Sequence, residues 1–174
     1  MQKYQENVEN KIRGMTSSPV IIIGGGLAGC EAAWQLLQRG HAVTLYEMKP
    51  QKFSPAHKLP HLAELVCSNS LKSNSLDNAH GLLKEEMRRL DSLIISCAEQ
   101  CPVAAGTALA VDRLKFARAV EEKLLEHKLF TLIRQEIKEL PADALTIIAT
   151  GPLTSEAMSG TLKNLLGGAQ LYFY

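Results

Sequence analysis

The sequence of 174 residues lacks an apolar run near the roughly 18 residues that a membrane span requires. The segment from Met1 to Pro19 also lacks the apolar core of a signal peptide. We therefore expect a cytoplasmic protein with no membrane partner. Excess charge is lacking too, because 19 Lys+Arg oppose 18 Asp+Glu. This balance predicts no strongly basic nucleic-acid surface, although a local patch could hold an RNA substrate.

Cysteine is scarce, and the spacing of the four cysteines is not that of a small secreted domain: Cys30, Cys67, Cys97 and Cys101. In a reducing compartment they should be free thiols. Cys97 and Cys101 lie four residues apart and would share one helix face. Two soft ligands without two more nearby make a weak zinc site, so we expect core packing.

A histidine pair and a set of five cations are best explained as ordinary solvated residues. His57 and His61 lie four apart, but Pro60 opposes a regular helix there and no third ligand stands out. We therefore predict solvated loop histidines and no metal site. Five cations on predicted helices could contact phosphates, but a solvated helix face is the default: Arg88, Arg89, Arg113, Lys115 and Arg118.

The composition, 46% apolar and 21% charged, is that of one globular domain. Residues 1–18 are polar and aperiodic, which predicts a disordered N-terminal extension, and Met15 is a candidate start. The folded domain is then expected over residues 19–174.

The domain opens with the pattern of a βαβ unit. Val20 to Ile23 is a β-branched run typical of a strand buried on both faces. Leu27 to Arg39 favours a helix that Gly40 ends as a left-handed cap. His41 to Glu47 then predicts a second strand, with a right-handed crossover between the two strands.

An excursion from the sheet follows. Residues 48–78 are rich in turn residues and predict a long irregular loop, which is usually functional. Between His80 and Cys101, apolar residues recur at steps of four and three: Leu83, Met87, Leu90, Ile94, Cys97 and Cys101. They predict one amphipathic helix with its charged residues turned mostly outward: Lys84, Glu85, Glu86, Arg88 and Arg89. We therefore expect a helical and loop insertion over about residues 50–107.

The rest of the chain returns to alternating elements. Residues 108–111 are apolar, and Asp112 is a plausible N-cap for a helix that buries one face: Phe116, Val120 and Leu124. Residues 130–133 and 145–149 predict further strands. The alternation indicates an α/β fold with a mainly parallel sheet.

The strongest motif is a G-x-G-x-x-G between the first strand and helix: Gly24, Gly25, Gly26, Leu27, Ala28 and Gly29. Gly24 permits the tight turn, Gly26 lets a pyrophosphate approach the backbone, and Gly29 allows close helix packing. Glu47, at the end of the second strand, could accept hydrogen bonds from ribose hydroxyls. The motif favours FAD or NAD over a glycine-rich turn with a solvated glutamate. A late Ala149-Thr150-Gly151 turn tilts the choice to FAD by analogy.

Cys67 is the thiol with the best case for chemistry. It lies in the long loop among hydroxyl and amide neighbours, Ser68, Asn69 and Ser70, instead of an apolar stripe. A thiolate can add to an electron-poor ring carbon. Spacing alone favours a chemical role for Cys67 and the role of an ordinary loop cysteine equally.

Together these segments resemble one family, the folate- and FAD-dependent tRNA uracil-5-methyltransferases known as TrmFO. The resemblance covers the chain after Met15 and includes these stretches: the glycine motif, Leu45 to Met48, Ala63 to Leu71, Leu83 to Arg88, Ala108 to Arg113, Ile148 to Ser155, and Leu171 to Tyr174. It implies a Rossmann-like FAD-binding domain. The family more often has Cys-Ser-Val-Pro-Ala-Gly-Gly where this chain has residues 101–107.

The resemblance implies a reaction. FAD takes a one-carbon unit from 5,10-methylenetetrahydrofolate and passes it to C5 of the T-loop uridine of tRNA, with NAD(P)H as reductant. Cys67 matches the first of two family cysteines, and the motif leaves open whether it attacks C6 or acts as acid or base. Cys30, Cys97 and Cys101 do not inherit the role.

Length is the main departure, because family members are more than twice as long. The resemblance therefore implies an N-terminal fragment that keeps part of the cofactor cradle, and we expect little activity from it alone. Three alternatives remain: a ribosomal RNA uridine as substrate, a related FAD protein acting on the tRNA wobble uridine, and a non-catalytic nucleotide-binding module. Residues 64–70 argue against the wobble-uridine enzyme. Oligomeric state is not indicated.

Overall fold

A computed structural model describes residues 18–167 of the chain, which hold seven strands and five helices in that range. The strands are β1 (Val20–Ile23), β2 (Val43–Glu47), β3 (Ser70–Ser73), β4 (Pro102–Val103), β5 (Ala108–Val111), β6 (Phe130–Arg134) and β7 (Thr146–Ile148). The helices are α1 (Leu27–Gln38), α2 (Ala79–Arg89), α3 (Leu93–Gln100), α4 (Arg113–Leu125) and α5 (Glu156–Leu165).

The main sheet has four parallel strands in the order β6-β2-β1-β7. Ile22 pairs with Leu45 on one side and with Ile147 on the other. All four residues of β1 are buried, as expected for a strand covered on both faces. The predicted α/β class, the first βαβ unit and the late strands are therefore confirmed.

Helix α1 covers one face of this sheet and contributes to the larger core. Its buried residues include Cys30, Ala33 and Leu37, which pack with Ile22 and Leu45. The helix ends at Gln38, and Gly40 follows with φ +81°, the left-handed conformation that its lack of Cβ permits. Packing against the sheet thus fixes where the glycine turn before α1 lies.

The insertion after β2 contains strands as well as helices and loop, which corrects the expectation of a helical and loop insertion. Strands β3, β5 and β4 form a separate antiparallel sheet in that order. Strand β5 belongs to this small sheet although it follows the predicted boundary at residue 107. Asp112 then caps α4 by accepting from the N–H groups of Leu114 and Lys115, as the sequence predicted.

The single helix predicted between His80 and Cys101 is wrong, because the structure divides it into α2 and α3. Asp91 adopts φ +53° and Ser92 caps α3 by accepting from the N–H of Ile95. The expected faces of α2 are wrong at Leu83 and Lys84, whereas Glu86 and Arg89 are exposed as predicted. Leu83 is 55% exposed, whereas Lys84 is 4% exposed, and the Nζ of Lys84 donates to the carbonyls of Ser73 and His80.

Within residues 18–167 no helix has the length and apolar character needed to cross a membrane. The predicted N-terminal extension lies outside the described residues except for Ser18, and so does the strand-like stretch at residues 171–174.

Candidate functional site

A cleft of about 270 Å³ opens at the carboxyl ends of β1, β2 and β7. Its walls come from the glycine turn, from residues 46–49, and from the turn that follows β7. Strand β2, which follows β1 in the chain, pairs with one edge of β1, and the later strand β7 pairs with the other edge. The cleft therefore lies at the topological switch point of the sheet. Open α/β sheets bind their ligands at such points.

Three glycines of the turn have no room for a side chain, and at Gly25 an added Cβ would collide with the side chains of Leu62 and Glu47. Gly24 has φ +107°, and a Cβ there would lie 2.5 Å from the carbonyl oxygen of Ala149. A Cβ on Gly29 would collide with the carbonyl oxygen of Gly24. These contacts are the tight turn and the close helix approach that the motif predicted.

Gly26 differs because no atom of the described chain lies within 4 Å of where its Cβ would be. It is the N-cap of α1 and has no side chain to accept from the first N–H groups of the helix. Leu27 and Ala28 also line the cleft. The turn therefore places an open space next to the free N–H groups at the N-terminus of α1. Such an arrangement can bind a phosphate.

Glu47 lies at the end of β2, in the cleft wall, and is 7% exposed. One carboxylate oxygen accepts from the N–H of Gly25 at 2.8 Å, and the other accepts from the N–H of Lys49 at 2.9 Å. The side chain thus fixes the glycine turn to β2. Each oxygen keeps a lone pair with which it could accept from a ligand hydroxyl.

A buried ion pair and a histidine complete this wall and were missed by sequence reasoning. Lys49 donates from Nζ to Glu64 at 3.2 Å, and the two side chains are 3% and 6% exposed. Burial raises the pKa of Glu64, but N–H groups of residues 58 and 59 and the ammonium of Lys49 outweigh it and hold that pKa below its usual value. The loop sequence carries no periodic signal that could have paired these residues.

His57 lies in a loop as predicted, but it lines the cleft and is partly buried, so it is not the fully solvated histidine that was expected. Its Nδ1 lies 2.6 Å from Oγ of Ser54. Burial, and then the charge of Lys49, lower the pKa of His57. His61 is likewise half-buried, with Nδ1 3.3 Å from the carboxylate of Glu121. Within residues 18–167, no three His, Cys, Asp or Glu side chains converge as metal ligands.

The segment that carries Cys67 is bonded directly to the glycine turn. The N–H of Ala63 donates to the carbonyl of Gly25 at 2.8 Å, and the N–H of Leu62 donates to Glu121 on α4 at 2.8 Å. Among the described residues Val66 lines the cleft, whereas Cys67 does not line it and is exposed. The structure therefore brings the glycine motif and Glu47 together, with Cys67 exposed next to the cleft wall.

The other three cysteines are buried. Burial raises the pKa of Cys97 to about 11, and burial also raises the pKa of Cys30, whose Sγ donates to the carbonyl of Gly25 at 3.4 Å. Cys97 and Cys101 pack in the core, as predicted. These environments favour inert thiols.

Residues 149–151 follow β7 and line the cleft opposite the glycine turn. The Oγ1 atoms of Thr150 and Thr154 lie 2.6 Å apart, and Ser155 caps α5 at the same edge. The N-termini of α1 and α5 therefore both lie at the cleft. The sheet order and the glycine turn define the class as a Rossmann-type dinucleotide-binding domain.

The family described as Glucose inhibited division protein A matches residues 19–171, and the chain belongs to it. A solved structure of Aquifex aeolicus GidA has the same fold, with a TM-score of 0.56 over 71% of this chain and 20% of that one, at 14% identity.

Curated relatives are more similar in sequence. The chain is 63% identical over 155 residues to "Methylenetetrahydrofolate--tRNA-(uracil-5-)-methyltransferase TrmFO" of Syntrophus aciditrophicus, covering 89% of this chain and 35% of the relative. It is 58% identical over 160 residues to the TrmFO of Bacillus subtilis, covering 92% and 37%. The resemblance to TrmFO is therefore confirmed. The chain spans about a third of the length of these relatives.

Proposed function

We propose that this chain forms the FAD-binding part of a methyltransferase that transfers a one-carbon unit from 5,10-methylenetetrahydrofolate to C5 of the T-loop uridine of tRNA, with NAD(P)H as reductant. The relatives' names support the folate, the tRNA and the reaction class. The observation that carries the cofactor assignment is the open space at Gly26, beside uncapped N–H groups of α1. We propose a cytoplasmic location for the reaction.

The residues of the cleft fit a dinucleotide. A Cβ at residue 26 would enter the open space of the cradle, where the pyrophosphate would accept from N–H groups of residues 26–28. Glu47 would accept from ribose hydroxyls while it holds the turn through the N–H of Gly25. Bound there, the flavin would supply the redox and one-carbon carrier chemistry.

Cys67 is proposed to act on the uracil ring. Carbon C5 of uracil is a poor nucleophile until a group adds to C6, and addition of a thiolate there raises the electron density at C5. Cys67 is exposed, and the neighbouring Val66 lines the cleft, so a base could reach the thiol from solvent. The same thiol could instead transfer a proton, and both roles require it to be accessible.

The cofactor assignment is tested by titrating the chain with FAD and following flavin fluorescence, for the parent chain and for Gly26→Ala. Gly26 has φ −75°, which alanine adopts, and the added methyl group meets no protein atom. We expect Gly26→Ala to fold normally and to lose at least about tenfold in FAD affinity, about 1.4 kcal/mol.

Gly160→Ala is the matched control, because Gly160 lies in α5 and its added Cβ also meets no atom within 4 Å in the described chain. It should leave FAD affinity unchanged. Equal FAD affinity of Gly26→Ala and the parent chain would overturn the pyrophosphate placement.

The role of Cys67 is tested in the longer protein that contains this chain. Cys67→Ala should abolish uridine methylation while the flavin content remains. Retained turnover would refute the assignment of this thiol.

A further inference from the structure

The five cations considered as phosphate contacts divide into two groups. On α2, Arg88 pairs with Glu99 at 2.7 Å and Arg89 pairs with Glu85 at 3.1 Å. Three cations on α4 are exposed and form no ion pair within residues 18–167: Arg113, Lys115 and Arg118. We call these three residues the α4 basic cluster. Their charge is therefore available to a partner.

The α4 basic cluster lies beside the segment that carries Cys67. The guanidinium of Arg113 donates to the carbonyl of Leu65 at 3.3 Å, and that of Arg118 donates to Nε2 of His61 at 3.4 Å. Beyond Cys67, the N–H of Val111 donates to the carbonyl of Asn69 at 2.9 Å. Residues 61–69 thus run along the first half of α4, with Cys67 near its N-terminus.

The three cations outnumber the carboxylates of α4 and its cap that have no cationic partner in the described chain, which are Asp112 and the exposed Glu122. Asp112 accepts from the N–H groups of Leu114 and Lys115 as the helix cap. Glu121 accepts from Arg134 at 2.7 Å and from the N–H of Leu62. Glu64 is paired with Lys49. The surface around Cys67 is therefore locally positive, although the whole chain carries only +1.

We propose that the α4 basic cluster contacts the backbone phosphates of the RNA whose uridine reaches Cys67. The inference rests on the proposed function for the identity of the polyanion, and on charge complementarity for the surface. Cations held next to an exposed reactive group can fix the register of a nucleic acid without reading its bases. The cluster would thus position the strand while other parts of the site select the base.

Such contacts make binding depend on salt, because each neutralised phosphate releases counterions. The logarithm of the binding constant falls with the logarithm of salt concentration by about 0.7 to 0.9 per phosphate contact. Three contacts predict that removing the cluster flattens the slope by about 2 to 3. The loss should be similar for loops of different sequence.

The experiment measures binding of a fluorescent RNA hairpin with a uridine-containing loop to the full chain, by anisotropy at several KCl concentrations. The variants are the triple alanine replacement of the cluster, and Arg113→Lys with Arg118→Lys, which keeps both charges. Lys115→Ala and Lys123→Ala form a matched pair, because both are lysines of α4 but Lys123 lies within 4 Å of Glu126, outside the cluster. Thermal melting establishes that each variant is folded.

In the triple variant, the slope of the logarithm of the binding constant against the logarithm of KCl concentration should be shallower by about 2 to 3. Lys115→Ala should make the slope shallower by about 1, and Lys123→Ala should leave it nearly unchanged. The variant with Arg113→Lys and Arg118→Lys should keep most of the slope. An unchanged slope in the triple variant overturns the proposal that this surface contacts the RNA. So does the absence of RNA binding by the parent chain at 20 mM KCl, or displacement of the RNA by polyglutamate at equal charge. FAD affinity, measured on the same samples, reports separately on the proposed function.

Discussion

Replacing Lys49 by methionine should destabilise the chain far more than the same replacement at Lys52. Lys49 donates from Nζ to Glu64 at 3.2 Å and to the carbonyl of His61 at 2.7 Å, with its side chain 3% exposed. Lys52 pairs with Glu136 at a shorter 2.7 Å, but its side chain is 48% exposed. The two positions therefore separate the effect of burial from that of distance.

The magnitude follows from what each variant leaves behind. Lys49→Met leaves the carboxylate of Glu64 buried without its cation, and breaking a buried pair costs about 3–5 kcal/mol. Glu64 keeps the N–H groups of Lys58 and Leu59, so we expect about 3 kcal/mol. With a urea m-value of about 2 kcal/mol/M, the midpoint falls by about 1.5 M. Lys52→Met should cost about 0.2–1 kcal/mol.

The assay is urea unfolding of the purified chain, followed by circular dichroism. Glu64→Gln completes a double-mutant cycle, because its neutral side-chain amide still accepts from the N–H groups of Lys58 and Leu59 and removes the unpaired charge. The double variant should be less destabilised than the sum of the single variants by about 1–3 kcal/mol. Equal losses for Lys49→Met and Lys52→Met, or strict additivity in the cycle, would refute the reasoning from burial.

Two further predictions concern titration and thiol reactivity. The folded pKa of His57 is lowered from its usual 6.5, and those of Glu64 and Glu121 from 4.5, so each adds stability at high pH that is lost on acidification. The urea midpoint should fall first below about pH 6.5 and further below about 4.5, and His57→Asn should remove the upper step; a flat profile from pH 8 to 4 would contradict this. Because Cys67 is the one exposed thiol of the four, Ellman's reagent should titrate one thiol in the native chain and none in Cys67→Ala, and rapid reaction of two or more would show that the core thiols are accessible.

The parts of the fold that local patterns determine were predictable. The β-branched run of β1, the glycine turn and Gly40 specify the first βαβ unit without help from distant residues. The cap at Asp112 and the buried face of α4 are local as well. The same holds for the positions of Gly24 and Gly29, whose roles follow from the motif.

Other parts depend on contacts between residues far apart in the sequence. The apolar spacing from His80 to Cys101 continues across Asp91, although Asp91 and Ser92 are themselves turn and cap residues that mark a break. Lys84 is buried because its Nζ finds two carbonyls, one of them in β3. The pairing of Lys49 with Glu64 and the place of His57 in the cleft depend on a loop path that no periodicity encodes.

Gly25 has a consequence for how any ligand is received. Its N–H is bound by Glu47, and its carbonyl oxygen accepts from the N–H of Ala63 and the thiol of Cys30. Two consecutive peptide planes are therefore fixed from three directions, and neither can rotate without breaking bonds to other elements. The turn should meet its ligand already in the bound shape, so little conformational entropy is lost there on association. A substitution in the Cys67 segment can then alter cofactor affinity without touching the cofactor.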